Sequence, residues 1–250
     1  MRAFNKRSID VIVSFIAVFG TLPITLSAVF LVWLYDRKNP IYLAPRVGKN
    51  GKIFKMVKIR SMIVNAEKTG VDSTSSDDKR ITPIGKIVRK FKLDELTQFW
   101  NVLIGQMSVV GPRPNVKRET DCYTTEESKL LSVKPGITDF ASIVFSDEGR
   151  ILEGMRDPDL AYNQLIRPTK SRLGLFYIEN QSLFVDLSII VTTAISIFSR
   201  NLSLTINHKI LKALNAAESL ILISLRNSQL VPAPPPGATK IVTVRDEKFF

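Results

Sequence analysis

The sequence predicts a mainly helical α+β fold with an apolar N-terminal membrane helix, re-entrant or kinked, interfacial amphipathic helices and a small β-hairpin around one catalytic domain. Three observations predict it. Residues 11–34 carry no charge. Asn50-Gly51 stands between two stretches rich in β-formers, a strong short-range hairpin signal. Apolar residues recur every three or four positions from about 93 to 107, the period of a helix with one buried face. Neither a dinucleotide-binding glycine fingerprint nor a Walker A loop occurs, and there is no internal repeat.

Val11 to Leu34 would make a helix of about 36 Å, against a hydrocarbon core of about 30 Å. Pro23, beside Gly20 and Thr21, removes a backbone hydrogen bond there and is expected to kink the run into halves too short to span singly. Basic residues flank both ends, Arg2, Lys6 and Arg7 before and Arg37 and Lys38 after, so charge marks no inside or outside. Two readings stay open on these residues. One is a re-entrant hairpin that dips into the bilayer and returns with Pro23 as its bend; the other is a kinked single span. A cleaved signal peptide fits less well, because the run is too long for its apolar region.

Ile41 to Ile59 forms the hairpin, made cationic by Arg46, Lys49, Lys52, Lys55, Lys58 and Arg60. Residues 64–80 are polar and turn-rich, so a long exposed loop is expected, with Asp72, Asp77 and Asp78 as solvated charges. After Pro83, Ile84, Ile87, Val88 and Phe91 oppose Lys86, Arg89 and Lys90, an amphipathic basic helix suited to a membrane surface. A single buried helix face from about 93 to 107 follows, with Asp94 and Glu95 in its first turn, where the helix dipole alone accounts for carboxylates. Gly111-Pro112-Arg113-Pro114 is a rigid turn that fixes the backbone around one guanidinium, and Lys134-Pro135-Gly136-Ile137-Thr138 is a second. Residues 157–180 read as loop then helix. The segment 184–198 holds one charge, Asp186, and suits a core or interfacial helix. Beyond 200, Ile210 to Ile221 outline another helix, the proline-rich stretch 231–237 reads as an extended linker, and a short charged tail runs to Phe250.

Composition narrows the chemistry. At 250 residues the chain holds one core with extensions. Lys plus Arg outnumber Asp plus Glu by 35 to 23, a net charge of +12, which calls for an anionic partner: nucleic acid, anionic lipid or a phosphorylated substrate. One cysteine, Cys122, and one histidine, His208, leave no internal disulfide and no thiolate or imidazole metal cluster. Few aromatic residues interleave with the basic hairpin, which disfavours nucleic acid.

Six segments carry more, taken together and in order: Lys58-Ile-Arg-Ser-Met62, Ile87-Val-Arg89, Leu93-Asp-Glu-Leu96, Asn101-Val-Leu, Met107-Ser-Val-Val-Gly-Pro-Arg-Pro114 and Lys134-Pro-Gly-Ile-Thr138. In this combination the chain resembles the bacterial sugar transferases called monotopic phosphoglycosyl transferases, from about Lys6 to about Arg200. The resemblance implies transfer of a phosphosugar from a UDP-sugar to a polyprenyl phosphate such as undecaprenyl phosphate. It further implies magnesium, a re-entrant membrane helix with Pro23 at its bend, and a catalytic domain on the cytoplasmic face of the bacterial inner membrane. Asp94 matches the family's nucleophile, which would form an aspartyl-phosphosugar, and Glu95 its partner acid, as metal ligand or base. Arg89 then becomes a phosphate contact. A carboxylate attacking a diphosphate needs cations to neutralise charge first, and Arg113, Lys58, Arg60 and Arg150 are the further candidates. Adjacent helical residues project about 100° apart, so Asp94 and Glu95 address one metal ion only if the helix start is distorted.

The chain departs from the family in reading Leu22-Pro23 where many relatives read Ser-Pro, Thr97 where proline is usual, Gln106 where an acid is common, and Thr138-Asp-Phe-Ala-Ser142 where Thr-Gly-Trp-Ala-Gln is commoner. The last difference bears on which sugar is carried. The expected organisation is a re-entrant helix with its flanks over 1–40, a catalytic domain over 41–200 and an extension over 201–250. Membrane lipid is an expected partner, nucleic acid is not, and a homo-oligomer is allowed. Two rivals come from other classes: a membrane-anchored basic binding module for lipid or nucleic acid without catalysis, and a hydrolase in which water resolves the intermediate.

Overall fold

The computed structural model describes residues 2–248, with side chains from Lys6 onward; Arg2's side chain, Phe249 and Phe250 lie outside the described residues. Helix α1 runs without interruption from Arg2 to Asp36, Pro23 included. The hydrogen-bonded helix continues through Pro23 and does not separate into two helices. A helix-interior proline removes only one donor, and nearby hydroxyls engage carbonyls of the same turns: Thr21 Oγ1 donates to Ala17 O at 2.7 Å and Ser27 Oγ to Pro23 O at 2.8 Å. Residues 6–36 make the one helix, among those described, long and apolar enough to cross a bilayer.

Both ends of α1 are nevertheless held on the same body. Near its start Lys6 Nζ donates to Asp186 Oδ2 at 2.6 Å and Val110 O at 3.1 Å, and Arg7 donates to the carbonyls of Val102 and Leu103. One turn on, Asp10 accepts from Ser108 Oγ and the Val109 N–H, each at 2.9 Å. At its end Asp36 is gripped by both terminal nitrogens of Arg60 at 2.6 and 2.7 Å, while Ala28 and Val32 pack on Ile59 and Val88. The residues turned inward, Asp10, Ser14, Val18, Ala28 and Val32, fall on one stripe, and Phe15, Phe19, Ile24, Phe30 and Leu34 are exposed on the others.

The predicted hairpin is present: β1 (Ile41–Val47) pairs antiparallel with β2 (Ile53–Ile59), from Ile41 opposite Ile59 to Val47 opposite Ile53. Asn50 and Gly51 take φ of 57° and 75° in its tight connection, the left-handed region these two residue types tolerate best. Helix α2 (Pro83–Lys90) is capped by Thr82, whose hydroxyl accepts from Gly85 N. Its apolar face divides, Val88 going into the α1 contact and Ile87 and Phe91 outward.

The single helix expected over 93–107 is instead α3 (Leu93–Leu96) and α4 (Gln98–Leu103), parted by a turn at Thr97, with the left-handed Lys92 (φ 52°) before α3 and Gly105 (φ 86°) after α4 bounding the run. Strand β3 (Ser108–Val110) lies parallel to β4 (Gly136–Thr138), so the two rigid turns of the sequence meet. Gly136 N donates to Pro112 O and Gly111 N to Thr138 O, each at 3.0 Å, and a Cβ on Gly136 would fall 2.1 Å from Gly111 N. Only glycine fits there.

Short helices α5 (Lys117–Thr120) and α6 (Thr125–Ser128) lie between these strands in sequence; α7 (Phe140–Val144) and α8 (Glu148–Ile151) follow β4. The stretch from 157 is helical at once, not loop first: Asp157 caps α9 (Pro158–Ala161), and a π-helical turn over 162–166 leads into α10 (Arg167–Asn180). Helix α11 (Leu183–Phe198) buries Val185, Asp186 and Ile189 and exposes Phe184, Leu187, Val191 and Phe198. The last predicted helix is broken at Asn215, φ 54°, into α12 (Arg200–Ala213) and α13 (Glu218–Ser224). Leu204, Leu211 and Leu220 from this region join the same core as Phe140, Ile166, Leu173 and Ile189. The proline-rich stretch is not a free linker either, since Pro235 and Pro236 are buried.

Candidate active site

A cavity of about 550 Å³ opens between the hairpin, α2, α3, the two proline turns, α7 and α11. Its most charged wall grows from local backbone features. The left-handed Lys92 ends the path of α2 and starts α3 afresh, so Asp94 and Glu95 sit in the first turn of a four-residue helix, and both line the cavity. Both carboxylates stand at helical positions of α3, each on its own cation. Asp94 Oδ2 pairs with Lys58 Nζ at 2.9 Å, the lysine coming from the end of β2. Glu95 Oε1 accepts from Arg113 Nη2 at 2.7 Å, and Arg113 Nη1 is fixed by Ile137 O at 2.6 Å. The β3–β4 pairing thus aims the guanidinium, as the framing prolines suggested.

Arg89 and Lys92 line the same wall, so four cations surround two carboxylates and leave a surplus of positive charge for an anionic ligand. Burial alone would raise the Glu95 pKa, but the charges of Arg113, Lys58 and Lys92 and the Arg113 hydrogen bond outweigh it and hold the carboxyl well below its ordinary value. Glu95 is therefore an anion at neutral pH.

Of the sequence candidates, Asp94, Glu95, Arg89, Arg113 and Lys58 come together here. Arg60 does not. It is 8% exposed and spends its guanidinium on Asp36, Asn39 O and Met62 O, because its side chain leaves β2 on the side facing the end of α1. Arg150 is exposed on α8 and does not line the cavity, although its neighbour Gly149 does. Sequence reasoning missed Lys92, whose position beside the dyad was the available signal. It also missed a second wall, contributed by Asp72, Glu119, Glu148, Tyr162 and Lys170. Burial pushes the Glu119 carboxyl up to about 7, with Asp72 and Glu148 adding to the effect. Asp72, expected to be solvated, pairs with Arg118 at 2.7 Å.

No group of three or more His, Cys, Asp or Glu side chains suited to a metal ion occurs among the described residues. Magnesium does not need one: it commonly binds through one or two carboxylates and the substrate's own phosphates. Lys58 holds Oδ2 of Asp94 and Arg113 holds Oε1 of Glu95, so each carboxylate keeps a second oxygen of the hard type that such an ion takes.

Comparison with known proteins adds the following. The family model described as bacterial sugar transferase matches residues 1–200. A UDP-N-acetylgalactosamine-undecaprenyl-phosphate N-acetylgalactosaminephosphotransferase of Aeromonas hydrophila is 33% identical over 199 residues, covering 76% of this chain and 43% of that protein. The exopolysaccharide production protein ExoY of Sinorhizobium fredii is 31% identical over 204 residues, covering 76% of this chain and 83% of that protein. A UDP-glucose:undecaprenyl-phosphate glucose-1-phosphate transferase of Klebsiella pneumoniae is 36% identical over 192 residues, covering 75% of this chain and 39% of that protein. The chain thus spans less than half the length of the first and third of these.

Proposed function

Because the chain belongs to the bacterial sugar transferase family, we propose that it moves a phosphosugar from a UDP-sugar to a polyprenyl phosphate, initiating assembly of a glycan on a lipid carrier. The observation that carries this reading is the buried Asp94, ion-paired to Lys58 at 2.9 Å in a wall that also holds Arg89, Lys92 and Arg113. An Asp94 oxygen attacks the sugar-bearing phosphorus, the bond from that phosphorus to the bridging oxygen breaks, and UMP leaves with the electron pair. An oxygen of the lipid phosphate then attacks the same phosphorus and frees the carboxylate. As Asp94 gives its charge to the new bond, Lys58 is released to the phosphoryl oxygens, while Arg113, locked by Ile137 O, holds Glu95 and the diphosphate in register. Magnesium held by Asp94 and Glu95 would neutralise diphosphate charge.

The test is direct. Given UDP-glucose or UDP-N-acetylgalactosamine without lipid, purified enzyme is expected to release UMP stoichiometrically and gain the mass of a sugar phosphate. Undecaprenyl phosphate should discharge it with turnover. A donor that turns over fully without lipid would mean hydrolysis, and a protein whose mass never changes would end the covalent reading.

The same proposal puts α1 in the inner membrane as a re-entrant element, its continuous helix bent at Pro23 so that both ends return to the cytoplasmic face. Its support is that Lys6, Arg7 and Asp10 at one end and Asp36 at the other bind one body, which a straight crossing of about 30 Å would separate. Exposed Ile87 and Phe91 of α2, Trp100 of α4 and Phe184 and Phe198 of α11 would rest at the lipid boundary. Cysteines placed at residues 5 and 38 are both expected to react with an impermeant thiol reagent from the cytoplasmic side. Labelling from opposite sides would establish a span.

A further inference from the structure

The geometry points to Arg245, in the C-terminal tail, as a positioning residue for the cavity wall of Asp72, Ser73 and Thr74, and to that wall as a contact for the donor held in the same cavity, an inference that rests on the transfer reading above. The 64–80 segment expected to be an open loop is pinned. Ser73 and Ser75 are buried, and the backbone N–H groups of Ser73 and Asp72 donate to Asp159 Oδ1 at 2.6 Å and Oδ2 at 3.3 Å. Asp159, 3% exposed at the start of α9, is thus the post on which Asp72, Ser73 and Thr74 are hung as cavity wall.

The tail reaches that post. After the buried Pro235 and Pro236, the Val242 carbonyl accepts from Gln164 Nε2 at 2.7 Å and the Arg245 carbonyl from Asn163 Nδ2 at 3.2 Å, laying residues 242–245 along the π-helical turn. Val242 is fully buried. The Arg245 guanidinium then bridges the Asp159 carboxylate and the Gly70 carbonyl, touching both the post and the loop it supports. Arg118 makes the same pair of contacts from α5, reaching Gly70 O at 2.9 Å and Asp159 at 3.0 Å. Two guanidiniums therefore neutralise one buried carboxylate, and only one of them belongs to the segment that matches the family. A second basic residue of the extension acts on another stretch of the wall: the Arg226 guanidinium lies 5.4 Å from the centre of the Phe145 ring and 3.8 Å from Asp147, next to the cavity residues Ser146 and Glu148.

The tail braces the wall without touching the reacting atoms, because Asp94, Lys58 and Arg113 stand on different elements. Loosening it should weaken donor binding and leave chemistry alone. In full-length R245A, backbone amides of residues 70–75 are expected to exchange with deuterium at least tenfold faster than in the wild type, with R245K restoring most of the protection. In the UMP-release assay KM for the donor should rise about fivefold while kcat stays within twofold and the melting temperature is unchanged. Unaltered exchange would overturn the inference, and so would faster exchange with an unmoved KM. A fall in kcat matching the rise in KM, not rescued by R245K, would show general damage and would overturn it as well. If the wild-type enzyme releases no UMP from any donor, the transfer reading fails by itself and the link between tail and wall stands or falls on the exchange result.

Discussion

Replacing Asp94 with Asn should abolish UMP release, by about 10⁴-fold or more, while leaving the protein folded and membrane-bound. The amide keeps the shape of the side chain in its buried first-turn position and removes the nucleophilic charge. Lys58 loses its partner, yet its side chain is 22% exposed and can take water, so the loss of stability is expected to be small against the loss of rate. Glu95→Gln separates the two roles. It removes the charge facing Arg113, which Ile137 O still holds and the amide oxygen can still accept from, and it leaves the attacking oxygen of Asp94, so a partial rate and a measurable covalent species should remain. The Glu95 ion pair also carries a pH signature. Its folded pKa is depressed, so its contribution to stability is complete above the ordinary carboxylate value and is lost as pH falls through the lower folded value. The effect of Glu95→Gln on stability should therefore be the same at pH 6 and at pH 8. Purified Asp94→Asn enzyme that keeps more than about 1% of wild-type turnover would remove Asp94 from the reaction.

The site was legible where its cause was local. Asn50-Gly51 specifies its own turn, Thr82-Pro83 caps and starts α2, and two prolines announce the fixed guanidinium of Arg113. Asp94 was legible through the order of motifs, since on its own a carboxylate in a first turn is explained by the helix dipole. What the sequence hid was non-local. Nothing in the residues around Lys92 requires a left-handed backbone; the turn lets Val88 of α2 and Leu93 of α3 pack together on Ala28 and Val32 of α1, contacts far off in sequence. Arg60 sits two residues from Lys58 in a basic strand, and in a strand such neighbours share a face. It leaves the strand's end instead, where Asp36 of α1 claims it. Asp72 and Arg245 are 173 positions apart, and no pattern in either segment points to their common neighbour Asp159.

Arg167→Met should be the most damaging single change away from the chemistry, and its magnitude follows from burial. Arg167 is 2% exposed and Glu127 not at all; the guanidinium donates to Glu127 Oε1 at 2.9 Å, to Oε2 at 2.5 Å and to Cys122 O at 2.6 Å. Ser171 Oγ and the Thr124 N–H complete the carboxylate's shell. Removing the arginine leaves an anion in the interior with two neutral donors, a loss of about 3–5 kcal/mol, out of the 5–15 kcal/mol that typically holds a protein folded. For a chain of this size that is a fall in melting temperature of about 6–20 °C. The same network reaches the extension, because Thr124 Oγ1 donates to Pro236 O at 2.5 Å, so the prolines that lead the tail back to Asp159 should come loose with it. An Arg167→Met, Glu127→Leu double variant, which removes both charges together, should recover most of the lost stability. If calorimetry finds the double variant no better than Arg167→Met alone, the buried charge is not what the arginine neutralises, and its hydrogen bond to Cys122 O would have to hold α10 in place.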